Sequence, residues 1–132
     1  MHLGAFSISL NVADLARSKA FYEALGFEAF HDQSDQGWCM LRQGDTVLGL
    51  FGGFIERNAL TFNPGWDQRG QPVPGGFTDV RDVQARLQAA GIALTETCDP
   101  DGTGPAHIAL TDPDGNAILI DQHVPRPDQP PS

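Results

Sequence analysis

Residues 6–27 read FSISLNVADLARSKAFYEALGF and give the strongest indication of the chain's architecture. The first seven residues alternate between apolar and polar side chains, which is the period of a β-strand with two different faces. Asp14 then offers an N-cap for a helix, and Gly26 offers the left-handed C′ position at which helices often end. Apolar residues recur between them at helical spacing, namely Leu15, Phe21, Tyr22 and Leu25. The stretch therefore predicts a strand, a helix and a turn in succession.

The second half of the chain repeats this order. Residues 77–80 predict a strand, Asp82 an N-cap and Gly91 the end of a second helix. One face of that helix is predicted from Val83, Leu87 and Ala90. The two predicted caps, Asp14 and Asp82, lie 68 residues apart, about half the chain. We therefore predict an internal duplication.

Turn signals divide the residues that follow each predicted helix. Strands are predicted at residues 38–42, 46–51, 107–111 and 117–121. Gly44-Asp45 separates the first pair, and the segment 112–116, DPDGN, separates the second. Residues 52–76 are rich in Gly, Pro, Asn and Gln, so a long loop that carries Phe54, Phe62 and Trp66 is expected between the copies.

The composition excludes several classes of function. The net charge is -9, with 17 acidic and 8 basic side chains, so we expect no nucleic-acid partner. Residues 47–55 form the longest apolar-rich stretch and are too few to span a bilayer, so we expect no membrane partner. The only cysteines, Cys39 and Cys98, are too few for a disulfide framework. We expect a cytoplasmic protein with reduced thiols, in which Cys39 packs beneath a helix and is not a nucleophile.

Three motifs carry a resemblance to a known family. They are NVADL at 11–15, AFYEALGF at 20–27 and DPDGN at 112–116. With them the chain resembles the vicinal oxygen chelate superfamily, which includes glyoxalase I, extradiol dioxygenases, fosfomycin-resistance enzymes and bleomycin-resistance proteins. The resemblance implies an α+β fold in which two βαβββ modules form a curved mixed sheet, a cup for a ligand, with helices on the convex side. It also implies a homodimer.

This resemblance sets the expected domain organisation. We expect one domain over residues 1–123, with repeats at about 3–51 and 73–123 joined by the loop 52–76. The Pro-rich tail 124–132 cannot continue a strand ladder and is expected to be disordered or draped over the surface.

The strand alternation separates two faces. One phase suits packing beneath helices and comprises Ile8, Leu10, Leu48, Leu50, Ile108, Leu110, Ile118 and Ile120. The opposite phase should line the cup and also includes Met40, Ala109 and Leu119. From it we predict the ligand-binding residues Ser7, Ser9, Trp38, Phe51, Phe77, His107 and Asp121.

The resemblance fails at the metal site. Metal-dependent relatives place a His, Gln or Glu on each of four strands, and the corresponding positions here are Ser7, Gly49, Gly75 and Leu119. Glycine and leucine have no donor atom, and a serine hydroxyl is a poor ligand for such metals. We therefore expect no metal and no cofactor.

Three functions remain open at this point. The first is a metal-free protein of the glyoxalase/bleomycin-resistance type that binds or sequesters a small aromatic or cationic compound. The second is a lyase, isomerase or dioxygenase that uses His107 as general acid or base beside Asp121, or a metal site in another register. The third is an interaction module with a vestigial cup.

Overall fold

The computed structural model of the chain describes residues 1–53 and 55–127. The strands within these residues are Ala5–Asn11 (β1), Glu28–Gln33 (β2), Trp38–Gln43 (β3), Thr46–Phe51 (β4), Ala59–Asn63 (β5), Ala106–Thr111 (β6) and Ala117–Gln122 (β7). The helices are Leu15–Ala24 (α1) and Val80–Ala89 (α2), and a short 3₁₀ turn covers Ser34–Gln36. The α+β prediction is confirmed.

The chain divides into two compact units. The first unit is Ser7–Leu60, and the second unit combines Met1–Phe6 with the described residues from Thr61 onward. Strands β1 and β5 each cross the boundary between them. The division of the chain into two βαβββ repeats remains a prediction.

The strands of the first unit are ordered β2-β3-β4-β1. β3 and β4 form an antiparallel hairpin that turns at Gly44, whose φ is 59°. β1 runs parallel to β4, with Ile8 opposite Leu48 and Leu10 opposite Leu50. The predicted alternation therefore places these side chains on one face.

Helix α1 covers one face of these strands. Asp14 caps it by accepting the Arg17 N–H at 3.1 Å, and Gly26 follows it with a φ of 99°. The core beneath it consists of Cys39, Leu41 and Leu50, with Leu10, Val12, Leu15, Tyr22 and Phe27 packed against it. The expected position of Cys39 beneath a helix is confirmed.

Two apolar residues that predicted the core face of α1 point away from this core. The exposed fractions of Phe21 and Leu25 are 61% and 56%. Leu15 and Tyr22, seven residues apart, face the sheet, whereas Phe21 and Leu25 form a neighbouring stripe four residues apart. The apolar surface of α1 is thus wider than the face it buries.

The strands of the second unit are ordered β5-β7-β6, and helix α2 packs on β6 and β7. Val80, Val83, Ile108, Leu110 and Ile120 form its core. The predicted helical face is confirmed at Val83 and Leu87 and is wrong at Ala90, which is the exposed C-cap residue after the last turn of α2. Gly91 ends the helix region with a φ of 80°.

The start of α2 differs from the prediction. Residues 77–79 are not a strand, and the N-cap is Asp79, not Asp82. The Asp79 carboxylate accepts the Arg81 N–H at 2.9 Å, and Gln122 Oε1 accepts the Val80 N–H at 2.8 Å. Asp79 was visible in the sequence as a possible cap residue, whereas the contact from Gln122 comes from 42 residues away and was not.

A strand also lies inside the segment that was predicted to be a loop. β5 occupies Ala59–Asn63, where Thr61 is buried, and Trp66 forms an isolated antiparallel bridge with Pro72. The Gly and Pro content of residues 52–76 obscured the strand, because the five residues of β5 are few beside the turn residues that flank them.

Candidate functional site

Three rings on neighbouring strands of the first unit form a near-parallel row. The ring centroids of His31 and Trp38 are 5.0 Å apart at an interplanar angle of 18°. Those of Trp38 and Phe51 are 6.4 Å apart at 19°. We call His31, Trp38 and Phe51 the aromatic row. His31 is exposed, whereas Trp38 and Phe51 are half-buried.

Strand register brings the three rings together. Trp38 of β3 lies directly opposite Phe51 of β4, so their side chains share a face. The register of β2 against β3 shifts between Ala29 and His31, which is a β-bulge. A bulge re-aims side chains, and here His31 stacks on Trp38 while the neighbouring Phe30 lies 4.7 Å beneath the guanidinium of Arg42.

A glycine makes room for the row. A Cβ added at Gly49 would lie 2.7 Å from Cε2 of Phe51 and 3.1 Å from Sδ of Met40. Both distances are shorter than ordinary van der Waals contact, so the Phe51 ring uses space that a side chain at position 49 would occupy.

The two predicted serines are less accessible than the row. The exposed fractions of Ser7 and Ser9 are 5% and 8%. A ligand would contact them only after the groups that cover them had moved. Their binding role remains a prediction.

The other predicted aromatic wall lies in the second unit. Phe77 lines a pocket there together with Trp66. Phe62 instead packs its ring on Phe6, with centroids 5.1 Å apart, and Phe54 is outside the described residues. Among the described residues expected to hold the ligand, Trp38 and Phe51 belong to the first unit and stack on each other, whereas Phe77, Phe62 and Trp66 belong to the second unit.

His107 and Asp121 are opposite each other on β6 and β7, as their strand register predicts. Each has a different partner, however. His107 Nε2 lies 2.9 Å from Glu96 Oε2, and Asp121 Oδ2 lies 3.3 Å from His123 Nε2. Both His107 and Glu96 are more than half exposed. His107 and Asp121 thus lie on neighbouring strands as expected, while the carboxylate in contact with His107 is that of Glu96.

The described residues do not fit the metal of the metal-dependent relatives. Ser7 is on β1, Gly49 on β4 and Leu119 on β7, and Gly75 lies outside the strands with a φ of 74°. Among these four side chains, the hydroxyl of Ser7 is the single group that could donate an electron pair to a metal ion. Across residues 1–53 and 55–127, no three His, Cys, Asp or Glu side chains are grouped closely enough to hold a metal ion.

Sequence reasoning missed His31 and the pocket residues His2 and Thr78. His31 could have been found only from the bulge, because simple alternation along β2 does not show which ring meets Trp38. His2 and Thr78 become neighbours through a contact between residues 76 positions apart, for which the sequence carries no signal.

None of the helices in the described part of the chain has the length and apolar character needed to span a membrane. No protein-family model matches the sequence, and no curated protein matches it either.

Two solved structures are similar to the chain in fold. A glyoxalase/bleomycin resistance protein/dioxygenase superfamily member from Vibrio splendidus 12B01 superposes with a TM-score of 0.60 at 17% identity, over 90% of this chain and 97% of that one. A protein from Legionella pneumophila described as an NAD-dependent benzaldehyde dehydrogenase superposes with a TM-score of 0.66 at 17% identity, over 89% and 98%. The likeness shows the fold of the glyoxalase/bleomycin resistance/dioxygenase superfamily. The two descriptions differ, and a shared fold does not determine an activity.

Proposed function

We propose that this chain binds flat aromatic molecules at the aromatic row without a metal, and that binding or sequestration is its function. The observation that carries the proposal is the near-parallel arrangement of His31, Trp38 and Phe51 on three adjacent strands.

A row of parallel rings favours the addition of another ring. Aromatic pairs prefer centroid separations of about 4.5–7 Å, and each such pair contributes about 0.5–1.5 kcal/mol beyond the area it buries. His31 is the exposed member, so a flat ligand that stacks on its imidazole continues the spacing already present in the row. The fixed strand register keeps the rings in place before the ligand arrives, which lowers the entropic cost of binding.

Charge favours a cationic ligand among flat aromatic ones. The net charge of -9 raises the local concentration of cations around the chain. Arg42 already covers Phe30, so that ring is not part of the proposed surface.

The test is calorimetric titration of the full chain with 9-aminoacridine, a flat cation, and with neutral acridine. Trp38→Ala removes the centre of the row and should weaken binding of 9-aminoacridine by about two- to ten-fold. Trp66→Phe is the matched control, because it alters the other tryptophan of the chain and leaves the row intact. No heat of binding at millimolar ligand, or equal losses in both variants, would contradict the proposal.

An enzymatic function through His107 is the second candidate. It is favoured by the 2.9 Å contact between His107 Nε2 and Glu96 Oε2, since a carboxylate that holds an imidazole is a common general-base arrangement. A lyase or isomerase of the superfamily would then use His107. If a substrate is found, His107→Ala should lower kcat by about 100-fold or more. Unchanged turnover would remove His107 from the mechanism.

Two further features belong to the proposal. A homodimer is supported by the exposed stripe of Phe21 and Leu25 on α1. A cytoplasmic location is supported by the free thiols of Cys39 and Cys98, because disulfides are uncommon in that compartment.

A further inference from the structure

A pocket of about 270 Å³ lies within the second unit and shares no residue with the aromatic row. Its apolar walls are Trp66, Phe77 and Val73, and its polar lining includes His2 and Thr78. For scale, an engineered apolar cavity of about 150 Å³ holds benzene. The pocket therefore has room for one substituted ring or a small fused pair.

The indole of Trp66 is held in position from several sides. Its backbone N–H donates to Asn63 O at 3.2 Å, and its carbonyl accepts the Ala5 N–H at 3.0 Å. One face of its ring stacks on His123, with centroids 4.6 Å apart and planes 13° apart. His123 is in turn fixed 3.3 Å from Asp121 Oδ2. Because His123 covers one face of the indole, the part of the Trp66 ring that lines the pocket is the other face or the edge.

Glycines create the space beside these walls. A Cβ at Gly65 would lie 3.0 Å from Cζ of Phe77 and 2.5 Å from Cγ2 of Val124, and Gly65 has a φ of 92°. A Cβ at Gly4 would lie 2.1 Å from the carbonyl oxygen of Asn63. Both positions therefore favour glycine, which allows this close approach and the positive φ at the pocket lining.

The polar lining indicates the kind of ligand. The Thr78 side chain is buried, and its hydroxyl oxygen accepts the His2 N–H at 3.4 Å. A hydroxyl that accepts one hydrogen bond can still donate its own proton, and an imidazole can donate or accept. A neutral oxygen substituent on the ligand matches these groups. An anionic substituent would be opposed by the net charge of -9.

We infer that this pocket binds a compact, neutral aromatic molecule that carries a hydroxyl group, of which phenol is the simplest example. The site is independent of the aromatic row, so either can fail without the other.

The test uses the two tryptophans of the chain as separate reporters. In a ¹⁵N-labelled sample the indole N–H signals are assigned with Trp38→Phe and Trp66→Phe, and phenol is titrated into the full chain. The Trp66 signal should shift and saturate with a Kd on the order of 1 mM, as expected for so small a ligand. The Trp38 signal should stay in place.

Variants at Val73 and Thr78 test the pocket itself. Val73→Phe fills it and should abolish the saturable shift, whereas Val73→Ala should retain it. Thr78→Val removes the hydroxyl and should weaken phenol about five-fold. Dispersed spectra verify that each variant is folded.

Three results would overturn the inference: no saturable shift of Trp66, a shift of Trp38 alone, or binding that survives Val73→Phe. Unchanged affinity for phenol in Thr78→Val would show that the Thr78 hydroxyl does not recognise the hydroxyl group of the ligand. Titration with 9-aminoacridine in the same spectra reports on Trp38 and separates a failure here from a failure of the aromatic row.

Discussion

The phenyl ring of Phe51 lies over Gly49, with Cε2 only 2.7 Å from where a Cβ of residue 49 would be. Glycine at this position has no side chain, and the Phe51 ring occupies the space that a side chain would take. The aromatic row therefore depends on the absence of a side chain at residue 49.

Gly49→Ala should displace Phe51 and disrupt the row. Gly49 is not among the glycines with positive φ, so alanine introduces no backbone strain and acts through its methyl group. Overpacking of this kind costs about 1–3 kcal/mol in the free energy of unfolding. We expect that loss in urea denaturation, together with weaker binding of 9-aminoacridine. Gly104→Ala is the control, because nothing lies within 4 Å of its added Cβ. Equal behaviour of the two variants would contradict the role of Gly49.

Asp79→Asn should destabilise the second unit strongly. The exposed fractions of the Asp79 and Arg81 side chains are 1% and 4%, and Arg81 Nη1 lies 2.9 Å from Asp79 Oδ1. Removing the carboxylate leaves a buried guanidinium without its counter-charge, which costs about 3–5 kcal/mol. Asp82→Asn, a half-exposed carboxylate in the first turn of the same helix, should change stability by less than about 0.5 kcal/mol. A similar small effect in both variants would refute the importance of this ion pair.

The same carboxylate predicts how stability depends on pH. Burial alone would raise the pKa of Asp79, but hydrogen bonds from Gln122 and Arg81 and the charge of Arg81 outweigh burial and lower it. Its contribution is therefore complete above the unfolded pKa of about 4 and is lost as the pH falls toward the lower folded pKa. We expect the difference in urea midpoint between wild type and Asp79→Asn to be constant from about pH 5 to 7 and to narrow below about pH 4. If the difference in urea midpoint widened as the pH falls, folding would raise the pKa of Asp79 and not lower it, which would contradict the prediction.

Much of the fold could be predicted from patterns of residues that are close together in the sequence. The cap at Asp14 and the glycine stops at 26 and 91 are decided by neighbours within one helical turn, and all three are confirmed. The same holds for β3, β4, β6 and β7, because their alternation and tight turns are visible in short segments.

Features set by distant contacts could not be predicted in this way. Gln122 fixes the start of α2 from the far end of the chain. The bulge in β2 determines that His31, and not a neighbour, stacks on Trp38. His107 lies opposite Asp121 as expected, yet the carboxylate in contact with it belongs to Glu96, which forms an isolated bridge with Ala109 that the sequence does not reveal. The candidate site therefore depends on register and tertiary contacts more than the fold does.

Cys39 should be almost inert toward alkylation in the folded chain. Burial, with Asp32 nearby, raises the pKa of its thiol to about 11, so at pH 8 only about one thiol in a thousand is ionised. Burial also raises the pKa of Cys98, which is half-buried. In Cys98→Ser, where Cys39 is the sole cysteine, iodoacetamide should react at least about 100-fold more slowly in buffer than in urea. Mass spectrometry that finds equal rates would show that Cys39 is not held beneath α1.

Phe21→Gln combined with Leu25→Gln should abolish self-association and leave the fold intact. The exposed fractions of these side chains are 61% and 56%, so glutamine, a good helix former, should change the free energy of unfolding by less than about 0.5 kcal/mol. The apolar stripe they form at the C-terminal end of α1 is the surface we propose for the dimer, and a few residues commonly carry most of the binding energy of an interface. Sedimentation equilibrium should give a dimer for the wild type and a monomer for the double variant. Ile92→Gln, which alters an apolar residue of 41% exposure in the second unit, should remain dimeric. A double variant that still dimerises would place the interface elsewhere. A monomeric wild type would exclude the dimer.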